Sequence, residues 1–313
     1  MTKTIKDLTV NDEGVELNVI IANVTNGKTN GQNKTAYLSF VFQDQSGVID
    51  AKLWNAKKEQ IEKLVTGVVV TVKGDIIKYG SNLQMKIETV KFLSIEETEQ
   101  VKYLKTAPLT GEELFDNISN YISKINNKDI YTITQYLLEK HKEQLMIFPA
   151  ASRNHHEYVS GLSHHVVGML KIADALIEVY PTLNKDYLYA GIVLHDIGKI
   201  LELSGPVLPE YTVKGKLLGH ISIGAAMIKN AATKLGIDSE NVDILMHLVL
   251  SHHGKLEYGS PVLPLIKEAE VLSIIDNLDA RINMLDKALE TTEEGSFSKR
   301  IFPLESRSFY KPK

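Results

Sequence analysis

The stretch Leu188-Tyr189-Ala190-Gly191-Ile192-Val193-Leu194-His195-Asp196-Ile197-Gly198-Lys199 decides how this 313-residue chain is read. It is a nearly all-apolar helix that ends in a charged cluster. A buried carboxylate without a partner costs several kcal/mol, so Asp196 and the adjacent His195 call for one. A divalent cation satisfies both. Neighbouring helical side chains point about 100° apart, yet two of them reach one centre from a helix end. An aspartate has two oxygens and can bridge two ions, whereas an imidazole nitrogen normally binds one. Gly198 lets the chain turn, and Lys199 follows His195 by four positions on the same face.

Outward from this pair, further ligand-type residues sit at helix ends or on apolar faces. His165 lies in Gly161-Leu162-Ser163-His164-His165-Val166-Val167-Gly168-Met169-Leu170. His220 opens Gly219-His220-Ile221-Ser222-Ile223-Gly224, and His252-His253 closes the helix that begins at Val242. Asp276 lies between Ile275 and Leu278 in an otherwise amphipathic stretch. A lone histidine near a helix end is more often a cap or a satisfied core residue, and His141 and His247 are read so. Of His164 and His165 one should point away, and the ligand role is placed on His165. Taken jointly, the set predicts a centre for two divalent metal ions.

Composition narrows the classes. The chain is 43% hydrophobic and 24% charged, as in an ordinary globular protein. Its net charge of −4 argues against coating nucleic acid by bulk positive charge, though not against a local basic groove. There is no cysteine, so any metal must be held by histidines and carboxylates. No stretch approaches the roughly 20 apolar residues of a membrane span, and the opening MTKTIKDLTV lacks the apolar run of a signal peptide. The expected location is the cytoplasm, with no membrane partner.

The first third has a different period. Val15–Ile21, Ala36–Phe42, Val48–Trp54, Val68–Val72 and Leu83–Ile87 alternate as strands, with Gly-containing turns such as Asp44-Gln45-Ser46-Gly47. Asn26–Gly31 is read as a loop between the first two. Lys57–Leu64 reads as a helix between the third and fourth strands, which is the OB-fold arrangement. Beyond Ile95 the apolar spacing becomes three and four. Thr110 and Glu113 form an S/T-x-x-E capping pattern that starts a helix. The expected fold class is thus a multi-domain α and β protein, a small N-terminal OB-type β-barrel followed by an all-α domain. The expected domains are a nucleic-acid-binding barrel over 1–95, a helical connector over 96–150, a metal domain over 151–290 and a loosely attached tail over 291–313.

The order H…HD…H…HH…D over about 150–290 resembles the HD-domain metal-dependent phosphohydrolases in their two-metal variant. A barrel followed by such a domain is similar to the YhaM-type 3′–5′ exoribonucleases. Phe42–Trp54, Phe148-Pro149-Ala150-Ala151, Asn154-His155-His156 and Ile275–Ala280 support that likeness. Ser163-His164 stands where a Leu-Glu pair is commoner before the first ligand. The resemblance implies one site formed by His165, His195, Asp196 and Asp276. Asp196 would bridge to a second site formed by His220, His252 and His253. It also implies Mn2+ as the metal. From ligand chemistry alone, mixed imidazole and carboxylate sites accept Mn, Fe, Co, Ni or Zn, while Mg prefers oxygen.

The expected activity is metal-dependent 3′–5′ hydrolysis of single-stranded RNA, with DNA as a further substrate, to nucleoside 5′-monophosphates. Catalytic roles fall on Asp196, on Lys199 as a cation near the non-bridging oxygens and on His156 as a proton donor. His155 would meet the terminal nucleotide. On the barrel, Phe40 and Phe42 share a face with Leu38 and are read as core. Trp54, with Lys52 nearby, is the platform for a base and its phosphate. Assembly into a homo-oligomer is expected through helical surfaces of 110–145. Two other readings compete: an HD hydrolase of small or cyclic nucleotides, and a DNA-binding replication-associated factor without catalysis.

Overall fold

The computed structural model describes residues 3–29, 34–80, 82–93, 97–151 and 156–313, and divides into two units, Met1–Thr106 and Ala107–Lys313. In the first, alternation in sequence becomes a closed barrel. Strands β1 (Val15–Lys28), β2 (Ala36–Asp44) and β3 (Gly47–Trp54) form an antiparallel meander. The short helix α1 (Lys58–Lys63) leads to β4 (Val69–Tyr79) and β5 (Asn82–Phe92). The sheet order β1-β2-β3-β5-β4 closes as β4 pairs with β1, and β3 with β5 is the parallel pair. This is the expected OB topology.

Side chains of one parity fill the barrel, among them Leu17, Val19, Phe40, Phe42, Ala51, Val72 and Met85. Phe40 and Phe42 stack on each other in that core, as their shared parity with Leu38 requires. A bulge in β1 between Ile21 and Asn23 shifts the phase. Leu17, Val19 and Ile21 face inward before it and Val24 packs inward after it, because one extra residue flips the alternation. The expected loop at Asn26 departs from this arrangement. Asn26, Gly27 and Lys28 pair with Leu38, Tyr37 and Ala36, since continued backbone pairing satisfies their amides better than solvent contact alone. Thr29 donates its amide to the Thr35 carbonyl at 3.0 Å, and Asn30 and Gly31 lie outside the described residues. The short helix α2 (Glu97–Gln100) follows the barrel in this unit.

The second unit is helical. Helix α3 (Gly111–Ile122) starts at the expected capping box: the Glu113 amide donates to Thr110 Oγ1 at 3.2 Å, and the Thr110 amide donates to Glu113 Oε2 at 2.8 Å. Then come α4 (Lys128–Lys140), α5 (Lys142–Ile147), α6 (Gly161–Val179), α7 (Lys185–Leu194), α8 (Lys199–Glu202), α9 (Val213–Leu235), α10 (Glu240–Ser251) and α11 (Lys267–Glu290). Every residue from Leu188 to Leu194 is buried. A helix apolar on all sides must be central, and α7 packs against α3, α4, α6, α10 and α11. The helices of residues 111–147 share this core with α6 to α11.

The tail is not the loose arm its polar composition suggests. Strands β6 (Ser296–Phe297) and β7 (Tyr310–Lys311) pair, and Leu304 is buried. Lys311 Nζ donates to the carbonyls of Leu289 and Thr292 at 3.0 and 2.9 Å, capping the C-terminal end of α11. Arg281 grips Glu305 through both terminal nitrogens. Among the described residues, no helix is long and apolar enough to cross a membrane.

Candidate metal centre

Helix α7 delivers His195 and Asp196 at its C-terminal end, into the middle of the helical unit. Both are buried. The turn after them is tight: a Cβ on Gly198 would stand 2.0 Å from the His220 carbonyl oxygen. Only glycine lets α8 approach α9 so closely. Helix α9 breaks at Gly219, whose φ of 69° and ψ of 153° suit glycine, and His220 opens the helix again beyond the break. His165 comes from the buried side of α6, His252 and His253 from the end of α10, and Asp276 from α11.

These side chains converge. His165 Nε2 is 3.1 Å from Asp276 Oδ1, and His195 Nε2 is 3.2 Å from Asp196 Oδ2 and 4.0 Å from Asp276 Oδ1. On the other oxygen of Asp196, Oδ1, His220 Nε2 lies at 3.4 Å and His252 Nε2 at 3.7 Å. His165, His195 and Asp276 make one group with ligand atoms within 4.8 Å of one another, and His220, His252 and His253 make another. Asp196 stands between them, one oxygen toward each. Ligands about 2.1 Å from a shared ion stand about 3.0–3.4 Å apart, close to these separations.

The outer nitrogens explain why the inner ones are bare. His195 Nδ1 meets the Ile192 carbonyl at 2.8 Å, His252 Nδ1 the Val249 carbonyl at 2.7 Å and His253 Nδ1 the Tyr258 carbonyl at 2.7 Å. A carbonyl only accepts, so each ring carries its proton on Nδ1 and a lone pair on Nε2. His220 Nδ1 is similarly held by Glu202 at 3.2 Å, and His165 Nδ1 by Asp279 at 2.6 Å. In consequence, His195 Nε2, His220 Nε2, His252 Nε2 and Asp196 Oδ1 are buried without a hydrogen-bond partner. Each such atom costs about 1–3 kcal/mol if left so. Four around one point fit cations, and the donor set is one that holds them.

Electrostatics agree. Burial pushes the Asp196 carboxyl up, but Lys199, His195 and His220 outweigh it and hold it well below the usual range. Burial, reinforced by His195, drives His252 well below an ordinary imidazole. Burial alone would lower His165, yet its hydrogen bonds to Asp276 and Asp279 lift it to about 9, so an incoming cation displaces a proton there.

Lys199 is buried with Nζ 2.6 Å from Asp196 Oδ2, so it neutralises the shared carboxylate. His156, the expected proton donor, is also buried. Its Nε2 donates to Asp279 at 2.7 Å, its Nδ1 accepts from the Tyr158 hydroxyl at 2.6 Å, and that hydroxyl accepts from His164 Nδ1 at 2.7 Å. His164 therefore serves Tyr158 while His165 faces Asp276. His155 lies outside the described residues. His247 accepts the Leu265 amide at 3.0 Å and is a structural cap. Sequence reasoning gave no role to Asp279, Glu202 or Tyr158. For Asp279 a signal existed, because it follows Asp276 by three positions on one helical face.

On the barrel, Trp54 is exposed and its ring centroid is 5.2 Å from that of Tyr37. Lys52 Nζ sits 5.3 Å from the Trp54 centroid, 5.5 Å from Tyr37 and 5.7 Å from Tyr79. In the parallel pairing Lys52 neighbours Lys86. Three aromatic rings, from β2, β3 and β4, thus surround Lys52, with Lys86 its partner on β5, the chemistry single strands need.

The family model described as HD domain matches residues 162–281, which contain every candidate metal ligand. That described as OB-fold nucleic acid binding domain matches residues 15–93. The chain is 47% identical to the 3′-5′ exoribonuclease YhaM of Geobacillus sp. (strain WCH70), over 96% of this chain and 92% of that protein. It is 48% identical to the proteins of the same name in Bacillus subtilis (strain 168) and Bacillus pumilus (strain SAFR-032), over 96% of this chain and 95% of each. The chain belongs to the YhaM 3′-5′ exoribonuclease family. An HD domain implies dependence on divalent metal, and this member of the YhaM family has the histidines and aspartates to hold it.

Proposed function

We propose that the helical unit is a metal-dependent 3′–5′ exoribonuclease and that the barrel holds its single-stranded RNA. The observation that carries this reading is the set of unpartnered ligand atoms on His195, Asp196, His220 and His252. When bound, two divalent cations would supply a water of lowered pKa and neutralise charge on the phosphoryl oxygens. His165, His195, Asp196 and Asp276 would hold one, and Asp196, His220, His252 and His253 the other. The nitrogen-rich ligand set supports Mn2+ over Mg2+. Asp196 stays ionised beside Lys199, so it offers both oxygens at neutral pH. Asp279 and Glu202 fix the rings of His165 and His220. Water adds to phosphorus as the bond to the preceding 3′ oxygen breaks, and a nucleoside 5′-monophosphate leaves.

Trp54 and Tyr37 would stack bases, with Lys52 and Lys86 on the phosphates. Such stacking tolerates any sequence and would admit single-stranded DNA. The proposed setting is the cytoplasm. Self-association into a homo-oligomer draws support from Ile274, Leu278 and Ile282, an exposed apolar row at four-residue spacing along α11.

End-labelled RNA incubated with Mn2+ tests the reading. Stepwise shortening from the 3′ end is expected. Asp196→Ala should abolish it while RNA binding persists. Turnover of mononucleotides alone, or normal cleavage by Asp196→Ala, would overturn the assignment.

A further inference from the structure

His156 adopts a left-handed backbone, with φ of 45°, a region that residues with a side chain rarely enter. Hydrogen bonds on both sides of the residue hold it there. Its amide donates to Asn283 Oδ1 at 2.9 Å, and its carbonyl accepts the Ala150 amide at 3.1 Å. A Cβ on Gly161 would stand 2.0 Å from that carbonyl oxygen, so the turn packs tightly against the start of α6, the helix that carries His165. On α11, Asp279, Asn283 and Lys287 recur at four-residue intervals and share one face. All three engage this turn: Asp279 meets the His156 ring, Asn283 meets its amide, and Lys287 pairs with Glu157. Gly168 on α6 leaves room for the carboxylate, since a Cβ there would stand 2.8 Å from Asp279 Oδ1.

A strained residue persists only where its surroundings over-determine it, and such strain gathers where geometry serves function. The side-chain bonds of this turn run in one direction, toward the metal centre. His164 Nδ1 donates to the Tyr158 hydroxyl at 2.7 Å, and that hydroxyl donates to His156 Nδ1 at 2.6 Å. His156 Nε2 donates in turn to Asp279 Oδ2 at 2.7 Å, the oxygen that also receives His165 Nδ1 at 2.6 Å. A single carboxylate oxygen thus stands between the buried His156 ring and the candidate ligand. We propose that His156 and Tyr158 are positioning residues, which act through Asp279 to fix the ring of His165 and so set the affinity of the ion held by His165, His195, Asp196 and Asp276. This role presupposes the two-ion reading of the centre. The rings of His220, His252 and His253 lean instead on Glu202 and on the carbonyls of Val249 and Tyr258, so the other ion should not feel a change at Tyr158.

Equilibrium dialysis of the full chain against Mn2+ tests this, with Tyr158→Phe removing one oxygen and little bulk. The native chain is expected to bind two ions. Tyr158→Phe should bind one of them as the native chain does and the other about tenfold more weakly. Paired variants identify the weakened ion. Combined with His253→Ala, which cripples the second site, Tyr158→Phe should still cost about tenfold; combined with His165→Ala, it should cost nothing more. A loss of equal size in both backgrounds would mean general loosening and overturns the proposal. So does a Tyr158→Phe chain that holds both ions as tightly as the native one. A native chain that takes up no Mn2+ defeats the two-ion reading and this role with it, so the two failures are distinct. The metal-free chain gives a readout without ions. In EDTA, the His156 ring N–H shared with Asp279 should give a slowly exchanging proton resonance far downfield, displaced in Tyr158→Phe; its absence from the native spectrum overturns the relay. Should Tyr158→Phe fail to fold, Asn283→Ala, which releases the His156 amide, decides: native affinity for both ions in that chain refutes the role.

Discussion

At the scale of single residues, the centre is governed as much by what holds the imidazoles as by the imidazoles themselves. Asp279 accepts from His165 at 2.6 Å and from His156 at 2.7 Å, so one carboxylate fixes a ligand and the relay behind it. Asp279→Asn keeps the size but removes the charge that strengthens both bonds to the same oxygen. It should weaken Mn2+ binding about 10–100-fold by equilibrium dialysis, with RNA affinity unchanged. Unaltered Mn2+ affinity would mean that His165 is oriented by packing alone. The seven candidate ligand positions were legible because polar residues on apolar faces demand partners. Asp279 was less so, because its neighbour Asp276 already accounted for a carboxylate in that stretch. His156 carries the opposite lesson: a histidine in a polar loop looks available, yet its binding partners on α11 lie more than a hundred positions away.

At the scale of elements, short segments set the spacing of the centre. Gly198 admits the His220 carbonyl to 2.0 Å of where a Cβ would stand. Gly198→Ala should cost about 1–3 kcal/mol, seen as a lower Tm, because the obstacle is backbone and cannot rotate away. No change in Tm would show that α8 and α9 can part freely. Another element-level effect depends on pH. Burial lowers the pKa of His247, and its Nε2 accepts the Leu265 amide. With the folded value below the unfolded one, the neutral ring's contribution is complete above about pH 6.5 and is lost as pH falls through the folded value. The urea midpoint should therefore fall between neutral and mildly acidic pH. His247→Leu should flatten that fall; an identical slope would assign it to other groups. Strand and helix periods were readable from alternation and three-four spacing. The phase shift in β1 was not, since a bulge depends on what the partner strand offers.

For the whole molecule, two units with separate cores let the two proposed tasks be probed apart. Trp54→Ala should weaken single-stranded RNA binding by about 1–3 kcal/mol while leaving Mn2+ affinity alone, read by filter binding and dialysis. A parallel loss of both would contradict that division. The order of barrel and helical domain was plain in the sequence, because its hydrophobic period changes once. The attachment of the last twenty residues was not, because it rests on Lys311, Glu305 and Leu304, none of which belongs to a repeating pattern.

The rings of His195, His252 and His253 lean on peptide carbonyls, which no codon change can remove. Those of His165 and His220 lean on side chains. Inherited variation can thus loosen either half of the pocket without deleting a candidate ligand, through a single position each: Asp279 for one half, Glu202 for the other. A lineage drifting toward weaker metal retention would be expected to change at those two codons before it touched any histidine.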